Sequence, residues 1–538
     1  MEIGCMAKTK TTLIVGAGAV GTNSALVLDK LGLHVVLVHN GDDIFTNSAA
    51  NTAFIWHETG QEYCRKGHQE TGELCIAGAA TQRLMFPMDF LSTQICNPKN
   101  PVKFFISNQT ASDSTQEDSY VPVKTFKDNV EHMRGYFTKK IYEPTKAFLQ
   151  AKHSLTDEEA HQLATEQLGC NPESFSQESG LHKTDIVQNV AVGYTATGDG
   201  INMPQLYAYQ KAAFRQSKVR QEFNCSIGDV TKTPSGQYEV TLTNGKKITA
   251  DSIILAAGAG NPELATKIPH AKPCTQGTYY LNTMVHVTLP EGGDTHQIIF
   301  TLQQIFGGAF TCIDRASRRY VVYSPDPTRS QVEKHTYDPD SPVSPPTQDW
   351  SKKMAFGLKT DPNRVDTEAK IEFKRIQGIL AHASTIYPVL QDAQIIQAPL
   401  RVVFNANSAD SPDGLDRRVR AIQNKEIAPN VFVTHGPKLT NSLLTALTVS
   451  HQALLSMDIN GLPTSTEYGV GPLNINILET SEMINFKGIQ GVMAKEALEY
   501  ALRYKLPASM IRKDHPQFSS RPFTNSINDV AIGGMSMK

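Results

Sequence analysis

The first forty residues carry apolar positions in unbroken runs rather than in alternation. Residues 13–15 (Leu-Ile-Val) and 34–38 (His-Val-Val-Leu-Val) are short apolar stretches of strand length. Between them, a helix predicted over 22–31 gathers Ala25, Leu26, Leu28 and Leu31 towards one face, and Gly32 stops it. Strands apolar throughout are buried on both faces, the habit of parallel sheets covered by helices. Gly16-Ala17-Gly18-Ala19-Val20-Gly21 fills the first turn. Strand, glycine turn, helix and strand in so short a span predict a βαβ unit of dinucleotide-binding type.

Further along, the pattern predicts helical character over 72–85, a polar surface segment over 98–127 and a long amphipathic helix over 129–151. A helix over 204–215 and a strand over 219–225 follow. Then comes a hairpin over 236–260, turned at Asn244-Gly245 and feeding a buried strand at 252–256. Residues 277–323 alternate like antiparallel strands, 326–350 reads as a Pro/Ser/Asp-rich loop or insertion, and 369–387 as a helix. A third nucleotide-domain section spans 397–459, and the tail holds one amphipathic helix near 483–504. The fold class expected is α/β. A discontinuous Rossmann-type cofactor domain is expected from 1–97, 186–270 and 396–460. An α+β substrate domain on a mixed or antiparallel sheet takes 98–185 and 271–395, and 461–538 is a C-terminal extension.

Length and charge narrow the class. At 538 residues the chain exceeds one compact core, and 40% hydrophobic with 19% charged residues is ordinary for a soluble protein. A formal net charge of -2 supplies no field to attract nucleic acid, so no nucleic-acid partner is expected. The 8 cysteines are scattered without a CxxC pair, which predicts reduced thiols and no metal site. The N-terminus lacks the apolar run of a signal peptide, and no stretch approaches the roughly 20 apolar residues of a spanning helix. The expected location is the cytoplasm, with peripheral membrane contact left open.

The glycine loop has a direct chemical rationale. Gly16 permits the tight turn, Gly18 lets backbone approach a pyrophosphate, and Gly21 lets helix and sheet pack closely. Strand 34–38, however, ends in His39-Asn40, where a ribose-binding carboxylate is usual. His39 or Asn40 can still hydrogen-bond a ribose, and Asp42 and Asp43 lie a short loop away. No arginine stands nearby to pair with a 2′-phosphate, which disfavours NADP. A second small-residue turn, Ala256-Ala257-Gly258-Ala259-Gly260, closes the strand at 252–256.

Three stretches carry a family resemblance. Residues 51–78, through Asn51, Ile55, His57, Gly60, Tyr63, Leu74, Cys75 and Gly78, resemble L-2-hydroxyglutarate dehydrogenases and the matching part of malate:quinone oxidoreductases. Residues 386–414 resemble the segment before the last flavin section of the D-amino-acid oxidase superfamily of FAD-dependent oxidoreductases. Residues 428–450 are similar to its final strand, glycine loop and helix, as in glycerol-3-phosphate dehydrogenases with their Gly-Lys-Leu-Thr. The resemblance covers about residues 11–460 and implies an FAD-dependent enzyme. It implies oxidation of a small carboxylate substrate, a 2-hydroxy acid, by hydride transfer to flavin N5, with a quinone, another acceptor or oxygen taking the electrons.

Cofactor contacts are then expected from Gly16, Gly18, Val20, Gly21, His39, Asn40, Ser48, Asn51, Thr52, Gly258, Gly436, Lys438, Leu439 and Thr440. Arg401 stands where the superfamily places a substrate arginine, able to grip a carboxylate with two parallel bonds. His57 is the first candidate base, with His435 and His286 in reserve. Two alternatives stay open: an amine or amino-acid oxidase of the same fold, and a non-catalytic binding module that keeps the fold.

Overall fold

A computed structural model describes residues 10–46, 58–60, 69–92, 102–107, 123–179, 190–196, 200–274, 277–290, 299–301, 309–314, 317–323, 331–337, 376–381, 383–384, 387–398, 400–406, 422–435, 438–489, 492–504, 506 and 510–511. The opening βαβ unit consists of β1 (Thr11–Val15), α1 (Ala19–Lys30) and β2 (His34–Val38). Helix α1 begins earlier than its apolar face because Gly18 serves as the N-cap. Helix α2 is Gln69–Met85. Helix α3, Met203–Gln216, starts where the Asn202 side chain accepts the Gln205 N–H at 3.2 Å. Strand β3 (Ser252–Leu255) follows a hairpin turned at Gly245, whose φ of 84° suits glycine. Then come β4 (Gly277–Thr283), β5 (Leu400–Ala406), β6 (Val431–His435), α4 (Ser442–Ser456) and α5 (Ala494–Arg503).

A six-stranded sheet forms one half of the fold. Its order is Gln423–Ala428, β6, β3, β1, β2, Arg220–Glu222. Every neighbouring pair is parallel except Gln423–Ala428 against β6. Central β1 pairs Thr12 with Ser252 on one side and with Val35 on the other. The unbroken apolar runs now have their cause. Ile14, Val35, Leu37, Ile254 and Phe432 pack under the helices, in one core with residues of α1, α3 and α4. Leu13, Val15, Val36, Val38, Ile253 and Leu255 face a three-stranded antiparallel sheet (Ile227–Lys232, Tyr238–Leu242, Lys247–Ala250).

The other half is built on an eight-stranded mixed sheet and a three-stranded antiparallel sheet in which β4 lies between Gln331–Tyr337 and β5. Several readings of the sequence are corrected here. Within 98–127, Val102–Ser107 is an interior strand between Val190–Ala196 and Ile299–Thr301. Within 326–350, Gln331–Tyr337 is a strand at the edge of its sheet, paired with β4. The helix expected over 129–151 is three runs, Val123–Tyr136, a π-helical Phe137–Tyr142 and Glu143–His153. The tail holds two helices, Ile477–Met483 and α5. Between them Ile484, Phe486, Ile489 and Val492 enter the core beside α3, so packing rather than helical period dictates that stretch.

Candidate functional site

Strands β1, β2, β3 and β6 run in one direction, so Val15, Val38, Leu255 and His435 end at one edge of the sheet. The chain goes from β1 to β2 on one side, and β3 and β6 lie on the other. Such a reversal opens a crevice at the carboxyl ends, where open α/β sheets bind ligands.

The two glycine turns meet there. Gly16 has a φ of 111°, and a Cβ on it would lie 2.6 Å from the Ala256 carbonyl oxygen. The Ala256 N–H donates to the Val15 carbonyl at 2.8 Å. A Cβ on Gly21 would lie 1.8 Å from the Gly16 oxygen. Gly18 and Gly258 differ: no atom lies within 4 Å of the position a Cβ would take on either. Gly18 caps α1 without a side-chain hydrogen bond, and the first turn of α1 has no acidic residue. Free N–H groups at a positive dipole end, beside open room above glycine, fit an anionic pyrophosphate.

Next to this edge, a short turn at Leu439–Asn441 leads into α4. It is held from α2. Gln82 Nε2 donates to the carbonyls of Leu439 at 3.0 Å and Thr440 at 2.8 Å, and Gly78 gives the room in which Asn441 Oδ1 lies 2.4 Å from where a Cβ would be. Asn23 Nδ2 donates to Ser442 Oγ at 3.2 Å, and Gln210 Nε2 donates to Asn23 Oδ1 at 2.9 Å. Asn23, Gln82 and Gln210 are buried polar side chains on otherwise apolar faces of α1, α2 and α3. That is the signal by which the sequence could have revealed this network.

Two polar groups at this edge have no partner among the described residues: both side-chain atoms of Asn441 and Nε2 of His435. Burial pushes the His435 imidazole down to about 4, so it is neutral at ordinary pH. Its ring packs against Phe404 of β5, centroids 5.2 Å apart, and Phe404 packs on Tyr279 of β4 at 4.8 Å. Asn261 locks the floor by accepting the Ala257 N–H at 2.8 Å and donating to the Thr434 carbonyl at 2.9 Å. Strand β5 lies against the Gly258–Gly260 turn and carries Arg401 in register with Asn282. Unpartnered buried polar groups beside an open helix N-terminus fit a ligand that brings donors, acceptors and negative charge, as FAD does.

His39 turns inward. Its Nδ1 accepts the Ala17 N–H at 3.4 Å, which leaves Nε2 as the donor to Thr46 Oγ1 at 2.7 Å. Burial lowers its pKa against the raising charges of Asp42 and Asp43. The ring braces the glycine loop to the loop after β2, while neighbouring Asn40 and Asp42 are exposed. Lys438 caps the 439–441 turn with its carbonyl, which accepts the Asn441 N–H at 3.1 Å. His286 is buried within the eight-stranded sheet, and burial followed by the Arg319 charge pushes it to about 3. Ser48, Asn51, Thr52, His57 and Gly436 lie outside the described residues. Val20 lies in the first turn of α1 and is partly exposed, and Thr440 lies in the 439–441 turn before α4 and is buried.

A family model described as FAD dependent oxidoreductase (DAO) matches residues 11–452. Among solved structures, glycine oxidase from Geobacillus kaustophilus is 12% identical, with a TM-score of 0.51 over 85% of this chain and 97% of that one. Dithionite-reduced L-alpha-glycerophosphate oxidase from Mycoplasma pneumoniae with FAD bound is 15% identical, with a TM-score of 0.51 over 85% and 97%. L-amino acid deaminase from Proteus myxofaciens in complex with anthranilate is 11% identical, with a TM-score of 0.53 over 86% and 93%. No curated protein matches the chain by sequence.

Proposed function

Because the chain belongs to the DAO family of FAD-dependent oxidoreductases, we propose that this enzyme oxidises a small carboxylate substrate, a 2-hydroxy acid, in the crevice above β1. FAD is the cofactor, and when bound it supplies the hydride acceptor. The observation that carries the reading is His435. An imidazole with an unpartnered Nε2, at the carboxyl edge and under a strand of the second half, is placed to take a hydroxyl proton as hydride leaves the adjacent carbon. Arg401 on β5 is proposed to hold the carboxylate by two parallel N–H···O bonds.

His57 is the alternative base, and with it residues 51–78 support the L-2-hydroxyglutarate dehydrogenase and malate:quinone oxidoreductase branch. The proposed flavin contacts are Gly16, Gly18, Val20, Gly21, Gly258, Gly436, Lys438, Leu439 and Thr440, with Ser48, Asn51 and Thr52 from the sequence before α2. At the ribose, exposed Asn40 and Asp42 replace inward-facing His39. An amino acid is the second reading, favoured by the names glycine oxidase and L-amino acid deaminase among the similar structures.

Anaerobic mixing of the holoenzyme with panels of 2-hydroxy acids and amino acids, followed by loss of flavin absorbance, separates the two. A 2-hydroxy acid is expected to bleach the flavin, and H435Q to slow that step about 100-fold or more. Bleaching by amino acids alone, or an H435Q rate equal to wild type, overturns the proposal.

A further inference from the structure

The C-terminal extension lies beyond the residues matched by the family, yet its helix α5 reaches the loop that follows β2. Arg503 Nη1 stands 3.6 Å from Asp43 Oδ2 and 3.7 Å from Asp42 Oδ1. Tyr500 stacks on Tyr207 of α3 with centroids 4.4 Å apart, and the Tyr207 hydroxyl donates to Asp43 Oδ2. Lys211 Nζ, also from α3, donates to Asp43 Oδ1 at 3.0 Å. Burial pulls the Asp43 pKa up, but the hydrogen bonds from Tyr207 and Lys211 outweigh it and hold the carboxyl below its ordinary value.

What Asp43 does with that anchorage is local. Its Oδ1 accepts the Ile44 N–H at 2.8 Å, and the next residue, Phe45, has a φ of 55°. A bulky side chain in the left-handed region is an outlier that persists only where surroundings over-determine it. Phe45 is fully buried, its N–H donates to the Ala17 carbonyl at 3.0 Å, and its ring lines a small pocket with Ala19 and Asn23 of α1. One step on, Thr46 receives the His39 bond. The 43–46 turn therefore fixes the glycine loop from the side opposite β3, and the cluster around Asp43 fixes the turn.

We propose that α5 sets the affinity for FAD, with Arg503 as a positioning residue that holds Asp43 and so keeps the 43–46 turn against the N-terminus of α1. In this role Arg503 acts through Asp43 and Phe45, beside its longer contact with exposed Asp42. Without it, Asp43 keeps its bonds from α3 but loses the counter-charge of the extension, and the strained turn is freer to relax away from Ala17.

The test uses full-length protein stripped of flavin and titrated with FAD, followed by quenching of flavin fluorescence. R503M is expected to raise the FAD dissociation constant about fivefold, the scale of one partly exposed ion pair. R503K is expected to restore it to within about twofold, while the unfolding midpoint of the flavin-free protein stays at the wild-type value in both. K495M removes a cation from the exposed face of the same helix and is expected to bind FAD as wild type does. An unchanged dissociation constant in R503M overturns the proposal, as does a loss that R503K fails to rescue or that K495M reproduces. The readout rests on FAD as cofactor and not on the substrate, so failure of the 2-hydroxy-acid reading leaves this result separately decided.

Discussion

At the scale of single residues, two glycines three positions apart, Gly18 and Gly21, do different jobs. Gly21 is required by the fold itself, since a methyl there would meet the Gly16 oxygen at 1.8 Å. Gly18 is not, because its Cβ position is open. G21A is therefore expected to cost several kcal/mol and to yield little folded protein (overpacking costs typically about 1–3 kcal/mol, and more against backbone). G18A should leave the flavin-free unfolding midpoint unchanged yet weaken FAD binding about tenfold or more, because its methyl enters the space a pyrophosphate needs. Thermal unfolding and an FAD titration on both variants check the contrast; equal effects in both assays would refute it. The glycine spacing was legible in the sequence because a tight turn and a close approach are local demands. The inward role of His39 was not, since nothing in residues 34–40 says that Ala17 and Thr46 stand on either side of its ring.

Elements were legible where their neighbours lie close in sequence and illegible where they do not. The βαβ unit and the hairpin at Asn244-Gly245 carry their own signals. Val102–Ser107, embedded in a polar segment, becomes an interior strand only because Val190–Ala196 and Ile299–Thr301 flank it. The 439–441 turn shows the same dependence on distant partners. Its carbonyls are held by Gln82 of α2, more than three hundred residues earlier. Q82L removes both bonds, a cost of about 1–3 kcal/mol. The expected outcome is a lowered unfolding midpoint together with a shifted visible flavin spectrum, as the turn before α4 loosens. A variant that keeps the wild-type spectrum would separate the turn from the flavin.

For the whole molecule, buried neutral histidines dictate how acid acts. His435 is held at about 4 and His286 at about 3, against an ordinary 6.5, and His39 is also lowered, in each case chiefly by burial. The unfolded chain takes up protons as pH falls through 6.5 while the folded chain does not. Stability is thus complete above that value and declines below it, by up to about 1.4 kcal/mol per unit for each such histidine until its folded pKa is reached. The unfolding midpoint should fall between pH 7 and pH 5, above the range where carboxylates titrate, and H435Q should flatten the slope. A midpoint that is level or rises over that interval would contradict the assignment. None of this was readable from composition, which counts histidines but not their burial.

The order of the central sheet has a consequence for biogenesis. β1 lies between partners that the ribosome delivers at very different times: β2 within some twenty residues, β3 only near residue 252, and β6, which completes the parallel core, at residue 435. At about 5–20 residues per second, roughly 20–80 seconds pass between synthesis of Val15 and of His435. Through that interval the apolar faces of the first βαβ unit are uncovered, and the helix that packs beside β6 does not yet exist. Such non-local pairing makes for slow folding and exposure to aggregation. The crevice at the carboxyl ends of these strands is consequently complete only late in chain assembly.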